Sequence, residues 1–523
     1  MVEMLELDQI KFLASTSFSC LLGYLMRKYL QQNINNYQNR LLFTIVGGII
    51  ISLFCFNIKI LHIFFSISLS YIIMSTFSPE KSYYLTCIFC FLHMTFCHIW
   101  RMYNNYGSYE LDITGSLMVI VQRLTLLNAS LWDGDILNKE DKRELSEIRK
   151  EYAIRKKPSL LEFTAYCLNY QTIVIGPLIP YHNFQIFMQG KEEKLLRTDK
   201  ERELFLKHRE EILGAEKRII VLLKRTLTFG LIHLFIGSQF PISFYTTTEF
   251  QSYSFVRKLT YLWSTAIFMR MQYYFAWNFC SIACLISGLG FSGFSQDLKP
   301  KYEIVECFIF KSVEFPSSLK EIIDNWNIPT LKWLRIVVFE RSPKAYATFL
   351  VFFVSIFWHG YYPSYFVFFL SSAWLSAVGR LFRKKLRPVI FQRFTNSYPP
   401  TFPTSENWID RTTLYAKLSK NKIFNSIFCD TSLELENSEN KVDIEAKDQL
   451  NPGYNTFCMI YDIITFIASF TSINYLAISF VLLTSRDSYL AWRNLFFFVH
   501  IIGLVIHIGL LNYKPPQKIG KEL

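Results

Sequence analysis

Along this chain, runs of apolar residues long enough to cross a lipid bilayer alternate with short, dense clusters of charge. One crossing needs about 20 mainly apolar residues, and about eleven segments approach that length. They begin near Phe12, Leu42, Ile60, Tyr84, Leu111, Leu160, Ile219, Leu259, Tyr346, Phe457 and Leu495. The pattern predicts an all-α polytopic membrane protein. Several segments are interrupted, as at Gly176-Pro177 and Pro180, and irregular backbone at that depth has to be sheltered by neighbouring helices. These read as interior or re-entrant helices. From Asn396 to Asn455 the chain turns polar, with Pro399, Pro400 and Pro403 and a Ser/Asn/Glu-rich centre. Such a composition buries too little apolar surface to offset the entropy of ordering. The expected organisation is therefore one multi-spanning domain over 1–395 and 456–523, with 396–455 as a flexible loop inserted in it.

Composition strengthens this reading. The 523 residues are 17% aromatic and 19% charged, with 50 Phe and 30 Tyr, and mean hydropathy is +0.20. Soluble domains are nearer one quarter charged, so a soluble domain, disorder and a collagen-like fibre are all excluded. The formal net charge of +13 comes from basic clusters at Lys139 to Lys157, Lys191 to Arg225, and Arg380 to Arg387, which the positive-inside bias places in the cytosol. No nucleic-acid partner is implied. The second cluster spaces Leu196, Leu204, Phe205, Ile212 and Leu213 roughly at helical intervals, which suits a helix along the membrane interface or an ordinary solvated connector.

The acidic N-terminus, with Glu3, Glu6 and Asp8, lacks the basic region and cleavage site of a secretory signal, so the first apolar stretch is expected to be retained. The eleven cysteines lie mostly in apolar runs, where a thiol packs as a small hydrophobe. Cys87 and Cys90 form a lone CxxC without a second ligand pair, and no metal site is expected. Fixed-period repeats are absent, which counts against a transporter built from inverted repeats. Glycine-rich phosphate loops, HExxH helices and GxSxG elbows are also missing.

The candidate chemistry lies in polar residues that lipid should not tolerate. Trp358-His359-Gly360 interrupts an apolar run from Phe349 to Leu370. An ionisable group at that depth costs a few kcal/mol and by default faces the bundle interior with a role. Low polarity favours a neutral ring, and a neutral imidazole with a fixed tautomer is a general base. The bland alternative is a packed histidine satisfied by a backbone carbonyl. Upstream, Asp324-Asn325-Trp326-Asn327-Ile328-Pro329 precedes an amphipathic stretch, where Asn327 can either serve chemistry or cap a helix with Pro329 in its first turn. A single helix from Asn327 to His359 would hold them ~48 Å apart, but Ser342-Pro343 supplies a break that can fold the second segment back. Arg270, set among aromatics in Phe268 to Phe275, is a permanent cation that calls for an anion such as a phosphate.

At these residues the chain resembles the membrane-bound O-acyltransferase family, whose hallmark is a buried histidine in an apolar helix with an asparagine some thirty residues upstream. Further blocks resemble its lysophospholipid acyltransferase branch in the same order. They are Leu111-Asp112-Ile113-Thr114-Gly115, Trp132-Asp133-Gly134, Pro158-Ser159-Leu160-Leu161-Glu162, Gly176-Pro177, Tyr273-Tyr274-Phe275-Ala276-Trp277, Gly288 to Gly293, and Asp324 to Ile328. Two features depart from the pattern: Ser364 stands where relatives commonly have glycine, and the 396–455 loop is longer than usual.

The resemblance implies a multi-pass protein of the endoplasmic reticulum membrane whose helices surround an internal catalytic chamber. It implies transfer of a fatty acyl group from acyl-CoA, a co-substrate rather than a cofactor, to the hydroxyl of a lysophospholipid. His359 would act as base and Asn327 would orient substrate or donate to the oxyanion. Arg270, Lys332 and Arg335 are the candidate partners of the coenzyme A phosphates. Lysophosphatidylethanolamine, -serine and -choline are the favoured acceptors, ahead of lysophosphatidylinositol, and a protein or sterol acceptor is the main competing reading.

Overall fold

The computed structural model describes residues 6–31, 34–107, 110–139, 143–387, 389 and 456–513. Among these no strand forms, and the only bridges are the isolated pairs Phe294 with Pro300 and Phe308 with Trp326. The chain divides into two compact units: Met1–Phe235 with Met271–Cys307 and Asn327–Tyr361, and Ile236–Arg270 with Phe308–Trp326 and Tyr362–Leu523. The polar 396–455 loop expected from the sequence lies outside the described residues.

The first unit opens with α1 (Leu7–Tyr29), α2 (Tyr37–Phe56), α3 (Leu61–Thr76), α4 (Pro79–Asn104) and α5 (Ile113–Asn138). It continues through α6 (Glu147–Tyr152), α7 (Leu160–Cys167), α8 (Tyr181–Gln189), α9 (Asp199–Gly214) and α10 (Glu216–Phe235). Next come α11 (Thr248–Ser252) and α12 (Phe255–Ile286), which starts in the second unit and ends in the first. The second unit also holds α13 (Phe310–Glu314) and α14 (Leu319–Asn325), while α15 (Ile328–Val337) and α16 (Ala347–His359) return to the first. The helices α17 (Pro363–Lys385), α18 (Thr456–Leu482), α19 (Ser485–Asn494) and α20 (Phe498–Asn512) complete the second.

The motif blocks act as joints of the first unit. Asp112 caps α5 by accepting from the Thr114 N–H at 3.0 Å and pairs with Arg101 at 3.3 Å, so a carboxylate sits at the positive end of the helix. Ser159 and Glu162 form a reciprocal capping box at the start of α7. Asp133, 1% exposed, joins Arg149 at 2.5 Å and Arg341 at 2.8 Å. Beside it, a Cβ on Gly134 would meet the Ile154 carbonyl oxygen at 2.0 Å, so only glycine allows that approach. Nearly all of α5 is buried, charged and polar residues included. Its Arg123 donates to the carbonyls of Tyr166 and Cys167 at the end of α7, satisfying backbone freed where the chain breaks before Gly176-Pro177.

Among the described residues, five helical stretches are long and apolar enough to cross a membrane: Tyr37–Thr76, Pro79–Asn104, Asp199–Thr246, Pro363–Lys385 and Ile463–Leu482. The pair α19 and α20, bent by 75°, makes a sixth if it is one broken span. This is fewer than the eleven or so apolar segments counted along the sequence. The reason is visible in the helices: the run near Leu160 yields only the eight residues of α7, and α16 is thirteen residues long. The α9 stretch, open between an interfacial helix and a connector, packs Phe205, Ile212 and Leu213 against Phe291 within the protein. Ser364 donates to the Leu483 carbonyl at 2.7 Å and meets Ser488 at 3.0 Å, so its hydroxyl anchors α17 to the turn before α19.

Candidate active site

The helix α16 ends on His359 because Gly360 takes φ 128°, a value L residues rarely adopt. The His359 Nδ1–H donates to the Ser355 carbonyl at 2.7 Å. A carbonyl only accepts, so the proton is on Nδ1 and the lone pair is on Nε2. That tautomer leaves Nε2 as the nitrogen through which a general base would act, and the carbonyl contact anticipated for a packed histidine is what fixes it. The ring lies edge-on to Trp358, with centroids 4.6 Å apart, and is half-buried.

Three contacts hold the neighbouring Trp358. Its indole N–H donates to the Met118 carbonyl at 3.0 Å, its ring tilts against Trp333 at 5.6 Å, and its carbonyl accepts from His98 Nε2 at 3.2 Å. His98 also approaches Gly360, where a Cβ would lie 3.3 Å from its Nδ1. His98 thus packs against the turn that carries His359, with no mark of its own in the sequence. Its partner lies 260 residues away, and no local spacing signals such a pair.

Asn327 stands at the N-cap of α15 with φ 53° and ψ 56°, yet its side chain makes no capping hydrogen bond. Asparagine is among the few residues that tolerate this left-handed conformation. Its backbone carbonyl accepts from Leu331 at 3.1 Å, and the next N–H donates to Cys307 at 2.8 Å. The backbone therefore starts the helix while the side-chain amide is not spent on capping.

The break after α15 folds α16 back, and α5 measures the result. Gln122 donates to Thr330 at 2.8 Å, and Met118, one turn or about 6 Å away on α5, accepts from Trp358. Thr330 follows Asn327 by three residues and Trp358 precedes His359, so adjacent turns of one buried helix anchor both candidates. Trp333, donating to Thr125 at 2.8 Å, adds a third tie in the same register.

The cationic candidates are differently placed. Arg270 belongs to the second unit and holds Glu314 in a two-pronged pair at 2.6 and 2.7 Å, with Asn474 accepting at 2.6 Å. A carboxylate of the same unit thus already faces this half-buried cation. Lys332 and Arg335 lie with His359 in the first unit. Arg335 pairs with Glu340 at 2.9 Å while remaining largely exposed. The Glu151 carboxyl is raised above its ordinary value by partial desolvation and pulled back by Lys332 and Arg197, so Lys332 also has an anionic neighbour.

A model of the membrane-bound O-acyltransferase family matches residues 9–409. The chain belongs to this family. It is similar to membrane-bound glycerophospholipid O-acyltransferase 2 of Rattus norvegicus, with 26% identity over 99% of this chain and 88% of the relative. Membrane-bound glycerophospholipid O-acyltransferase 1 of Homo sapiens is 30% identical over 73% of this chain and 77% of its own length. The lysophospholipid acyltransferase of Schizosaccharomyces pombe is 27% identical over 89% of this acyltransferase and 79% of the relative.

Proposed function

We propose that this membrane acyltransferase esterifies the free hydroxyl of a lysophospholipid with a fatty acyl group from acyl-CoA, in the endoplasmic reticulum membrane. The relatives' names specify glycerophospholipid and lysophospholipid acceptors, which favours a lipid over a protein or sterol. The observation that carries the mechanism is the His359 tautomer, with Nδ1–H held by the Ser355 carbonyl.

Nε2 takes the proton of the acceptor hydroxyl as its oxygen attacks the thioester carbonyl. The Asn327 amide donates to the oxyanion that develops there. When the tetrahedral intermediate collapses, the C–S bond breaks and Nε2–H returns the proton to the departing thiolate. The products are a diacyl phospholipid and free coenzyme A, and histidine ends as it began. Lys332 and Arg335 are suited to the phosphates of coenzyme A because both lie on the helix that Asn327 starts; Arg335 would have to release Glu340, as Arg270 would Glu314.

The test is acyl transfer from labelled acyl-CoA in membranes, with lysophosphatidylethanolamine, -serine, -choline and -inositol offered in competition. We expect incorporation with the first three ahead of inositol, and a His359→Ala rate lower by roughly 10²- to 10⁴-fold with normal protein accumulation. Retained turnover in His359→Ala would overturn the base assignment, and no incorporation into any lysolipid by the wild type would overturn the substrate class.

A further inference from the structure

Away from the catalytic turn, α3 and α4 bring three metal-ligating side chains together. His62 Nδ1 lies 3.1 Å from His93 Nε2 and 3.6 Å from Cys97 Sγ, and the three donor atoms all fall within 4.8 Å of one another. His93 and Cys97 are four residues apart and so share a face of α4; the packing of α3 supplies the third donor. Tetrahedral zinc, with Zn–N near 2.0–2.1 Å and Zn–S near 2.3 Å, sets its ligands about 3.3 Å apart for N···N and about 3.6 Å for N···S. Small adjustments of the side chains would therefore admit the ion.

The surroundings are those of a ligand set. His93 Nδ1 lies 2.8 Å from Ser66 Oγ, the outer hydrogen bond that lets a ligating imidazole present its other nitrogen to a metal. Phe65 stands edge-on to the His93 ring at 5.0 Å, and Phe89 stacks on it at 6.0 Å, fixing its direction. Beside the cluster is an open cavity of about 560 Å³ lined by both histidines with Leu61, Phe65, Leu92 and Phe96 among others. Three protein ligands with space on the remaining side describe a site whose fourth position accepts an exogenous ligand. Cys97 is seven residues from the end of α4 at Asn104, about 10 Å of helix rise.

We propose that His62, His93 and Cys97 form a zinc-binding site whose fourth coordination position opens on the side cavity. A thiolate with two neutral imidazoles favours zinc over magnesium or calcium, which prefer oxygen donors. Binding sends the Cys97 thiol proton to solvent and leaves both imidazoles uncharged. The ion ties α3 to α4 one residue before His98, whose ring supports Trp358. Nothing in this assignment depends on the acyl-transfer mechanism.

The experiment uses full-length, untagged, chelator-stripped protein in detergent, titrated with Co²⁺ and then with Zn²⁺ against a chromophoric chelator. The expected result is one ion per chain, an ultraviolet sulfur-to-cobalt charge-transfer band that Zn²⁺ removes, and a rise in thermal midpoint with Zn²⁺. Cys97→Ser should abolish the band and the stabilisation, His93→Gln should abolish tight zinc uptake, and Cys87→Ser should change neither. A band that survives in Cys97→Ser overturns the site. So does wild-type protein that takes up no zinc, a measurement that stands even if the variants fail to fold.

Discussion

Gly360→Ala tests whether the turn at the end of α16 is built to hold His359. Gly360 has φ 128° and ψ −167°, a region essentially restricted to glycine, and an L residue held there costs about 1–3 kcal/mol. The new methyl would also stand 3.3 Å from His98 Nδ1, and moving that ring away weakens its 3.2 Å bond to the Trp358 carbonyl. If the cost is taken from the positioning of His359, at 1.36 kcal/mol per tenfold in rate, kcat should fall roughly 5- to 150-fold. KM for both substrates should change little, because the substitution removes no group that binds either. The assay is initial-rate acyl transfer in membranes, normalised to protein amount, beside the thermal midpoint in detergent. Adding His98→Ala should not restore the rate, since it relieves the clash but removes the bond to the Trp358 carbonyl and leaves the backbone strain in place. A Gly360→Ala enzyme with wild-type kcat and midpoint would refute the reasoning, showing that the turn tolerates other backbone conformations.

Asn327→Gly keeps the left-handed backbone at no steric cost and removes the amide. The rate should fall by roughly 10²- to 10³-fold, the loss seen when an oxyanion donor is removed, without a drop in thermal midpoint; full activity would exclude a role for the amide. Asp133→Ala leaves the buried Arg149 and Arg341 guanidiniums without their shared carboxylate. Removing one partner of a buried pair costs about 3–5 kcal/mol, so the variant should accumulate poorly or melt much earlier, and an unchanged midpoint would show that the network is not structural.

Much of this protein was readable in the sequence because the signals are local. Bilayer-length apolar runs interrupted by charge clusters identify a polytopic helical chain, and an ordered series of short blocks, ending in Asn327 and Trp358-His359-Gly360, identifies the family. A cap such as Ser159 with Glu162 is equally local, being settled within four residues. The number of crossings was less so, because hydropathy cannot separate a short buried helix such as α7 from a spanning one.

Only the tertiary structure decided what depends on residues far apart in the chain. The turns of α5 at Met118 and Gln122 anchor Trp358 and Thr330 in adjacent register, and the Ser355 carbonyl selects the His359 tautomer. Glu314 pairs with Arg270, and His62 meets His93 and Cys97 across a helical hairpin. Hydrophobicity and capping are properties of a stretch of chain, whereas a proton's location, an ion's partner and a set of metal donors are fixed by distances of a few ångströms between segments that only folding brings together.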